Sequence, residues 1–84
     1  MTYSVSIKRS ALEALARIAG EDRLRIIEVI DRLATNPSAG GVLKGEFGGL
    51  RRIRVGACRV VYELRDDVLM VLVVRIGHRR DIYR

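Results

Sequence analysis

Three segments rich in β-forming residues lie almost end to end in the second half of this chain, at about Leu50–Val55, Cys58–Leu64 and Val68–Ile76. Only Gly56-Ala57 separates the first two, and only Arg65-Asp66-Asp67 the next two. A parallel connection needs a dozen or more residues, so breaks this short leave an antiparallel meander as the way to pair these strands. Gly56-Ala57 has the Gly-X form of a two-residue type II′ hairpin loop, which sets the register. Val55 then faces Cys58, Arg54 faces Arg59 and Arg52 faces Val61.

The first half supplies what the meander needs on one side. Tyr3 to Ile7 alternates and is rich in β-formers, which predicts a first strand. Ser10, with Glu13 three residues on, has the spacing of a capping box and predicts a helix start there. That helix carries Leu12, Leu15 and Ile18 along one stripe and stops at Gly20. A second helix is expected over about Asp22–Thr35, with Leu24, Ile27, Ile30 and Leu33 at helical spacing, ended by Asn36-Pro37. Ser38 to Gly49 is a Gly-rich loop, and Gly77 to Arg84 a short polar tail. The expected class is therefore α+β: a strand, an antiparallel helical hairpin and a three-stranded antiparallel meander, β-α-α-β-β-β. The helices would cover one face of the sheet. Eighty-four residues make one domain, residues 1–84, with no room for a second core.

The other face is where the sequence is unusual. Arg52, Arg54 and Arg59 share a face by strand alternation, with Arg54 directly opposite Arg59. Like charges facing each other across a ladder destabilise it, and a sheet built only for stability would avoid this. As a merely solvated face, these arginines would be paired by Glu63 or Glu46. Charge is concentrated in the same half: residues 1–42 hold six Lys/Arg against five Asp/Glu, residues 43–84 ten against five. The formal net charge of +6 points to an anionic partner. Arg75, Arg79, Arg80 and Tyr83 follow downstream, with the face of Arg75 not fixed by the pattern. His78 is the one histidine and a candidate base by its ordinary pKa, though a lone histidine in a polar segment is more often solvated.

Other chemistries lack their residues. The chain has no P-loop, no zinc motif, no serine nucleophile elbow and no helix-borne carboxylate pair at metal spacing. Neither a cofactor nor a metal is expected. Cys58 is alone, so no intramolecular disulfide forms, in keeping with a reducing cytoplasm. No signal pattern opens the chain and no apolar run approaches a membrane span, Val68 to Val74 being the longest. An enzyme with this inventory would work through fixed positive charge. Metal-free RNA cleavage by the 2′-hydroxyl fits, since it needs cations around a pentavalent phosphorane and a group to move protons.

At these residues the chain resembles the RelE/ParE superfamily of type II toxins, and its RelE-like branch in particular. The likeness spans nearly the whole length and is strongest in "LKGEFGGLRRIRVGACRVVYEL" and "VLVVRIGHRRDIYR". It implies a ribosome-dependent mRNA endonuclease that cuts in the A site, silenced by a RelB-like antitoxin and meeting operator DNA only through that complex. It also implies roles. Arg52 and Arg54 stand where relatives carry lysines that contact phosphate and help activate the 2′-hydroxyl. Arg59 matches the arginine that stabilises the transition state, and Arg79 the one acting near the leaving 5′-oxygen. Tyr83 matches a tyrosine that stacks on the substrate base and shares in proton transfer. Lys44, Arg51, Arg80 and His78 would be supporting RNA contacts.

Arginine stays charged, so neither Arg52 nor Arg54 can serve as a general base. Proton removal then falls to Tyr83, His78 or solvent. Two alternatives stay open: a ParE-like poison of DNA gyrase without nuclease activity, and an inactive homologue that acts only as an antitoxin partner.

Overall fold

In the computed structural model, which describes residues 2–43 and 49–78, β1 (Ser4–Ile7) leads directly into α1 (Arg9–Ala16). After α2 (Gly20–Leu33) a 3-10 turn at Pro37–Ala39 delivers β2 (Gly41–Val42). The meander follows as β3 (Leu50–Val55), β4 (Cys58–Arg65) and β5 (Met70–His78). The five strands lie in the order β1-β5-β4-β3-β2. β1 pairs parallel to β5, and the other neighbours are antiparallel. The meander has the expected α+β setting, widened by the parallel β1 on one side and the two-residue β2 on the other.

The hairpin register is the expected one: Val55 opposes Cys58, Arg54 opposes Arg59, and Arg52 opposes Val61. Gly56 adopts φ +60°, while Ala57 keeps an ordinary negative φ, which is the type II′ pattern. The next connection differs from expectation. Asp66–Val68 coil into a 3-10 turn and Leu69 takes a left-handed φ of 50°, so β5 starts at Met70 and runs through Gly77 to His78.

Both helices pack on one face of the sheet, with Leu15, Ile30 and Leu33 buried as their spacing suggests and Leu12, Leu24 and Ile27 left outside. α1 buries Ala11 and Leu15, and Leu12 is 51% exposed. α2 buries Ile26, Ile30 and Leu33, leaving Leu24 68% and Ile27 39% exposed. Ile26 and Ile27 each begin an i, i+4 or i, i+3 stripe that shares Ile30, and packing selects the first. Ser10 is not the cap. Lys8 N–H bonds the Val73 carbonyl at 2.8 Å and the Lys8 carbonyl accepts the first helical bond, from Leu12 N–H at 2.9 Å, so α1 starts where the strand pairing ends. Gly20 opens α2 rather than closing α1; Glu21 and Asp22 in its first turn suit the positive end of the helix dipole.

The core between helices and sheet joins Leu15, Ile26 and Leu33 to Val60, Tyr62, Val71, Val73 and Ile76. Tyr62 also fastens the loop before β2. Its hydroxyl donates to the Pro37 carbonyl at 2.6 Å and accepts from Gly40 N–H at 2.9 Å. A Cβ at Gly40 would lie 2.8 Å from both the Arg52 carbonyl and the Tyr62 hydroxyl. At Gly41 it would meet nothing within 4 Å.

Gly40→Ala should therefore cost about 1–3 kcal/mol, with Gly41→Ala within about 0.5 kcal/mol of the parent in denaturant unfolding. Burial pushes the Tyr62 phenol above the ordinary tyrosine pKa, against smaller downward pulls from Gly40 N–H and Arg51. A raised folded pKa means that the phenol's contribution is intact below about pH 10 and is lost as pH rises through the folded value. Tyr62→Phe should destabilise at neutral pH by about 1–3 kcal/mol and lose less further stability than the parent above about pH 10.

Candidate functional site

Alternation along the strands gives the sheet two unlike faces. On the helix side stand Ile53, Val55, Cys58, Val60 and Ile76, with Tyr62 and Val73 further along. The opposite face carries two rungs of arginine. In one, Arg54 opposes Arg59, which opposes Gly77. In the other, Gly41 opposes Arg52, then Val61, then Arg75. The outer positions of the two rungs at Gly41 and Gly77 carry no side chain.

Arg75 is the residue whose face the sequence left undecided, and its place depends on an irregularity. Val61 opposes Arg75 but Tyr62 opposes Val73, so Val74 is an extra residue in β5, a bulge. Val71 and Val73 face the helices before the bulge and Ile76 faces them after it, with Arg75 turned outward. Four arginines then share one face across two rungs. Neighbouring strands are about 4.8 Å apart, so Arg52 and Arg75 flank Val61 at roughly 10 Å from each other.

Within this group Arg59 is half-buried, with its Nε shielded from solvent, whereas Arg54 and Arg75 are exposed. Val61 is only 5% exposed although it stands apart from the helix-side core. Its register partners on the neighbouring strands are Arg52 and Arg75. Glu63, on the same face further along β4, gives its carboxylate to Arg65 at 2.5 Å. Fixed guanidinium groups over a small apolar floor suit a phosphodiester: each offers a planar fork of donors to non-bridging oxygens.

Two of the expected contacts stand elsewhere. Arg51 opposes Tyr62 on the helix side, and its guanidinium donates to the Gly40 carbonyl at 2.8 Å, bracing the loop before β2. His78 opposes Cys58, also on the helix side, at a cavity of about 530 Å³ that Asp22 and Arg17 help to line. Burial, and secondarily the charge of Asp22, raises the Cys58 thiol above the ordinary cysteine pKa. Lys44, Arg79, Arg80 and Tyr83 lie outside the described residues, as does Glu46. Among the described residues no three of His, Cys, Asp and Glu are grouped to hold a metal ion, and no helix is long and apolar enough to cross a membrane.

Residues 5–83 match the family model described as the ParE toxin of the type II toxin-antitoxin system parDE. Toxin RelG of Mycobacterium tuberculosis is 29% identical over 86 residues, covering 100% of this chain and 99% of that protein. The toxin-antitoxin complex RelBE2 of the same species contains a chain that superposes with a TM-score of 0.87 at 25% identity, covering 94% of this chain and 100% of its own. A chain of the archaeal RelE-RelB complex from Pyrococcus horikoshii gives 0.79 at 28% identity, over 96% and 99%.

Opposed cations on one sheet repel, and salt screens them. Raising ionic strength from about 0.01 M to about 0.1 M shortens the Debye length from about 30 Å to about 10 Å. The thermal midpoint should rise over that range, and rise less in Arg54→Thr, which removes one member of the facing pair.

Proposed function

The chain belongs to the RelE/ParE superfamily of type II toxins, and from that premise we propose that it is an endoribonuclease that cuts mRNA in the ribosomal A site. The observation that supports this best is the two-rung arginine face, with Arg54 set against Arg59 and Arg52 beside them. In this reading the 2′-hydroxyl attacks the adjacent phosphorus, an O2′–P bond forms and the P–O5′ bond breaks. The products are a 2′,3′-cyclic phosphate and a 5′-hydroxyl end. Charge builds on the non-bridging oxygens of the phosphorane, where Arg59, Arg52 and Arg54 provide preorganised donors. Arg79 would act near the departing 5′-oxygen, with Lys44 and Arg80 as further RNA contacts.

No arginine can take the proton from the 2′-hydroxyl. His78 stands on the helix side of the sheet. Between Tyr83 and solvent we assign Tyr83, whose phenol would need cations to favour its ionised form and whose ring would stack on a substrate base. No metal or other cofactor enters this scheme. The partner that silences it is a RelB-like antitoxin, as in the RelE-RelB complexes of its relatives, and operator DNA is met only through that antitoxin. The working compartment is the cytoplasm, with the ribosome.

A second reading follows from the name of the matching family model, ParE: a gyrase poison without nuclease activity. An inactive homologue that only binds its antitoxin is the third. Purified protein added to a translation extract separates them. Codon-spaced mRNA cuts with 5′-hydroxyl ends are expected, with Arg59→Ala lowering the rate by about 10²–10³-fold. Intact mRNA together with gyrase-dependent cleaved DNA would establish the second reading, and no toxicity on induction the third.

A further inference from the structure

β2 gives only two residues to the sheet, Gly41 opposite Arg52 and Val42 opposite Arg51, and a pairing of that length is weak on its own. A latch of side chains on the helix side holds it in place. Arg51 and Tyr62 stand side by side there in register. The Arg51 guanidinium donates to the Gly40 carbonyl at 2.8 Å and to the Ser38 carbonyl at 3.5 Å. The buried Tyr62 hydroxyl donates to the Pro37 carbonyl at 2.6 Å and accepts from Gly40 N–H at 2.9 Å. Side chains from β3 and β4 thus take both polar groups of the Gly40 backbone.

The latch closes against Arg52. A Cβ at Gly40 would stand 2.8 Å from the Arg52 carbonyl, so only glycine lets the two backbones lie this close. The next residue, Gly41, is the register partner of Arg52. Alternation sets Arg51 and Arg52 on opposite faces, so the first draws β2 onto β3 from the helix side while the second belongs to the arginine face. Without β2, β3 would be the edge of the sheet, where backbone opens locally at low free energy. We propose that Arg51 and Tyr62 are positioning residues for Arg52, holding β2 against the β3 backbone so that the Arg52 guanidinium meets the substrate phosphate at a fixed place. This assignment rests on the ribonuclease reading of the arginine face. A donor aimed at a transition state works only where it is preorganised, and a displacement of about 1 Å can lower the rate on the order of 10²-fold.

The test compares full-length wild-type protein with Arg51→Met, Arg51→Lys, Tyr62→Phe and, as control, Ile26→Val, which loosens the core under α2 away from the latch. Thermal unfolding sets an assay temperature at which every variant is folded. On programmed ribosomes Arg51→Met and Tyr62→Phe should lower kcat by about tenfold and leave KM within about twofold. Arg51→Lys keeps a donor for the Gly40 carbonyl and should recover about threefold or more of that loss. Ile26→Val should match wild type. In an Arg52→Ala background, Arg51→Met should lower kcat by no more than about twofold further, since the group it positions is gone. Amide exchange at Leu43, whose N–H bonds the Leu50 carbonyl at 2.9 Å just beyond β2, should run about tenfold faster in Arg51→Met.

The proposal is overturned if folded Arg51→Met and Tyr62→Phe cleave as wild type does, if Ile26→Val loses as much activity as they do, or if the losses at positions 51 and 52 multiply in full. A raised KM with unchanged kcat in Arg51→Met would make Arg51 a direct RNA contact and overturn it as well. Intact mRNA with wild-type protein would defeat the nuclease reading. The latch on β2 then stands if Leu43 exchange accelerates in Arg51→Met and falls if it does not.

Discussion

The register of the β3–β4 hairpin is the constraint on which the rest of the molecule depends. A two-residue loop with Gly56 at φ +60° allows one pairing, Val55 with Cys58, and every later rung follows from it. A slip of one residue would exchange the faces, carrying Val60 and Tyr62 to solvent and the arginines into the core. Burying several guanidinium groups without partners is prohibitive, so the same residues that make the outer face unusual also enforce the register. Hydrophobic pattern and charge pattern select the same fold.

The two faces of the sheet then do different work. The helix side holds the fully buried Ile26, Val60, Tyr62, Val71 and Val73, where removing apolar area from water gives the domain its stability. The outer side sets Arg54 against Arg59 with Arg52 and Arg75 in the next rung, an arrangement that lowers stability and raises positive potential. A small domain has little stability to spare, so this opposition makes sense only if the potential is used. Phosphate is the anion whose geometry matches planar donors held at fixed spacing.

Much of this was legible in the sequence because short loops leave few choices. The Gly56-Ala57 spacing was enough to place Arg52, Arg54 and Arg59 on one face. Other features had no local signal. The parallel pairing of β1 with β5 spans more than sixty residues of chain, and β2 is two residues long. The face of Arg75 depended on the bulge at Val74, which shifts the alternation of β5 so that Val73 and Ile76 share the helix side. Arg51 looked like another basic contact because it adjoins Arg52, yet alternation sends it to the other side, onto the Gly40 carbonyl. His78 was separated from the arginines by the same alternation, at Cys58. In α2, adjacent Ile26 and Ile27 offered two helical stripes, and only contact with the sheet decided between them.

The proposed chemistry depends on fixed positive charge and not on a tunable base among the described residues. Arginine holds its proton throughout, so in the proposed reaction the outer face would stabilise a phosphorane and position its oxygens but could not take up the 2′-hydroxyl proton. On the proposed reading this face gives up stability for catalysis. Arg54→Thr tests it most directly when equilibrium stability and mRNA cleavage are measured on the same preparation. Stability equal to or above the parent is expected, together with cleavage lowered by about tenfold or more. Stability and cleavage falling together, or cleavage unchanged, would contradict it.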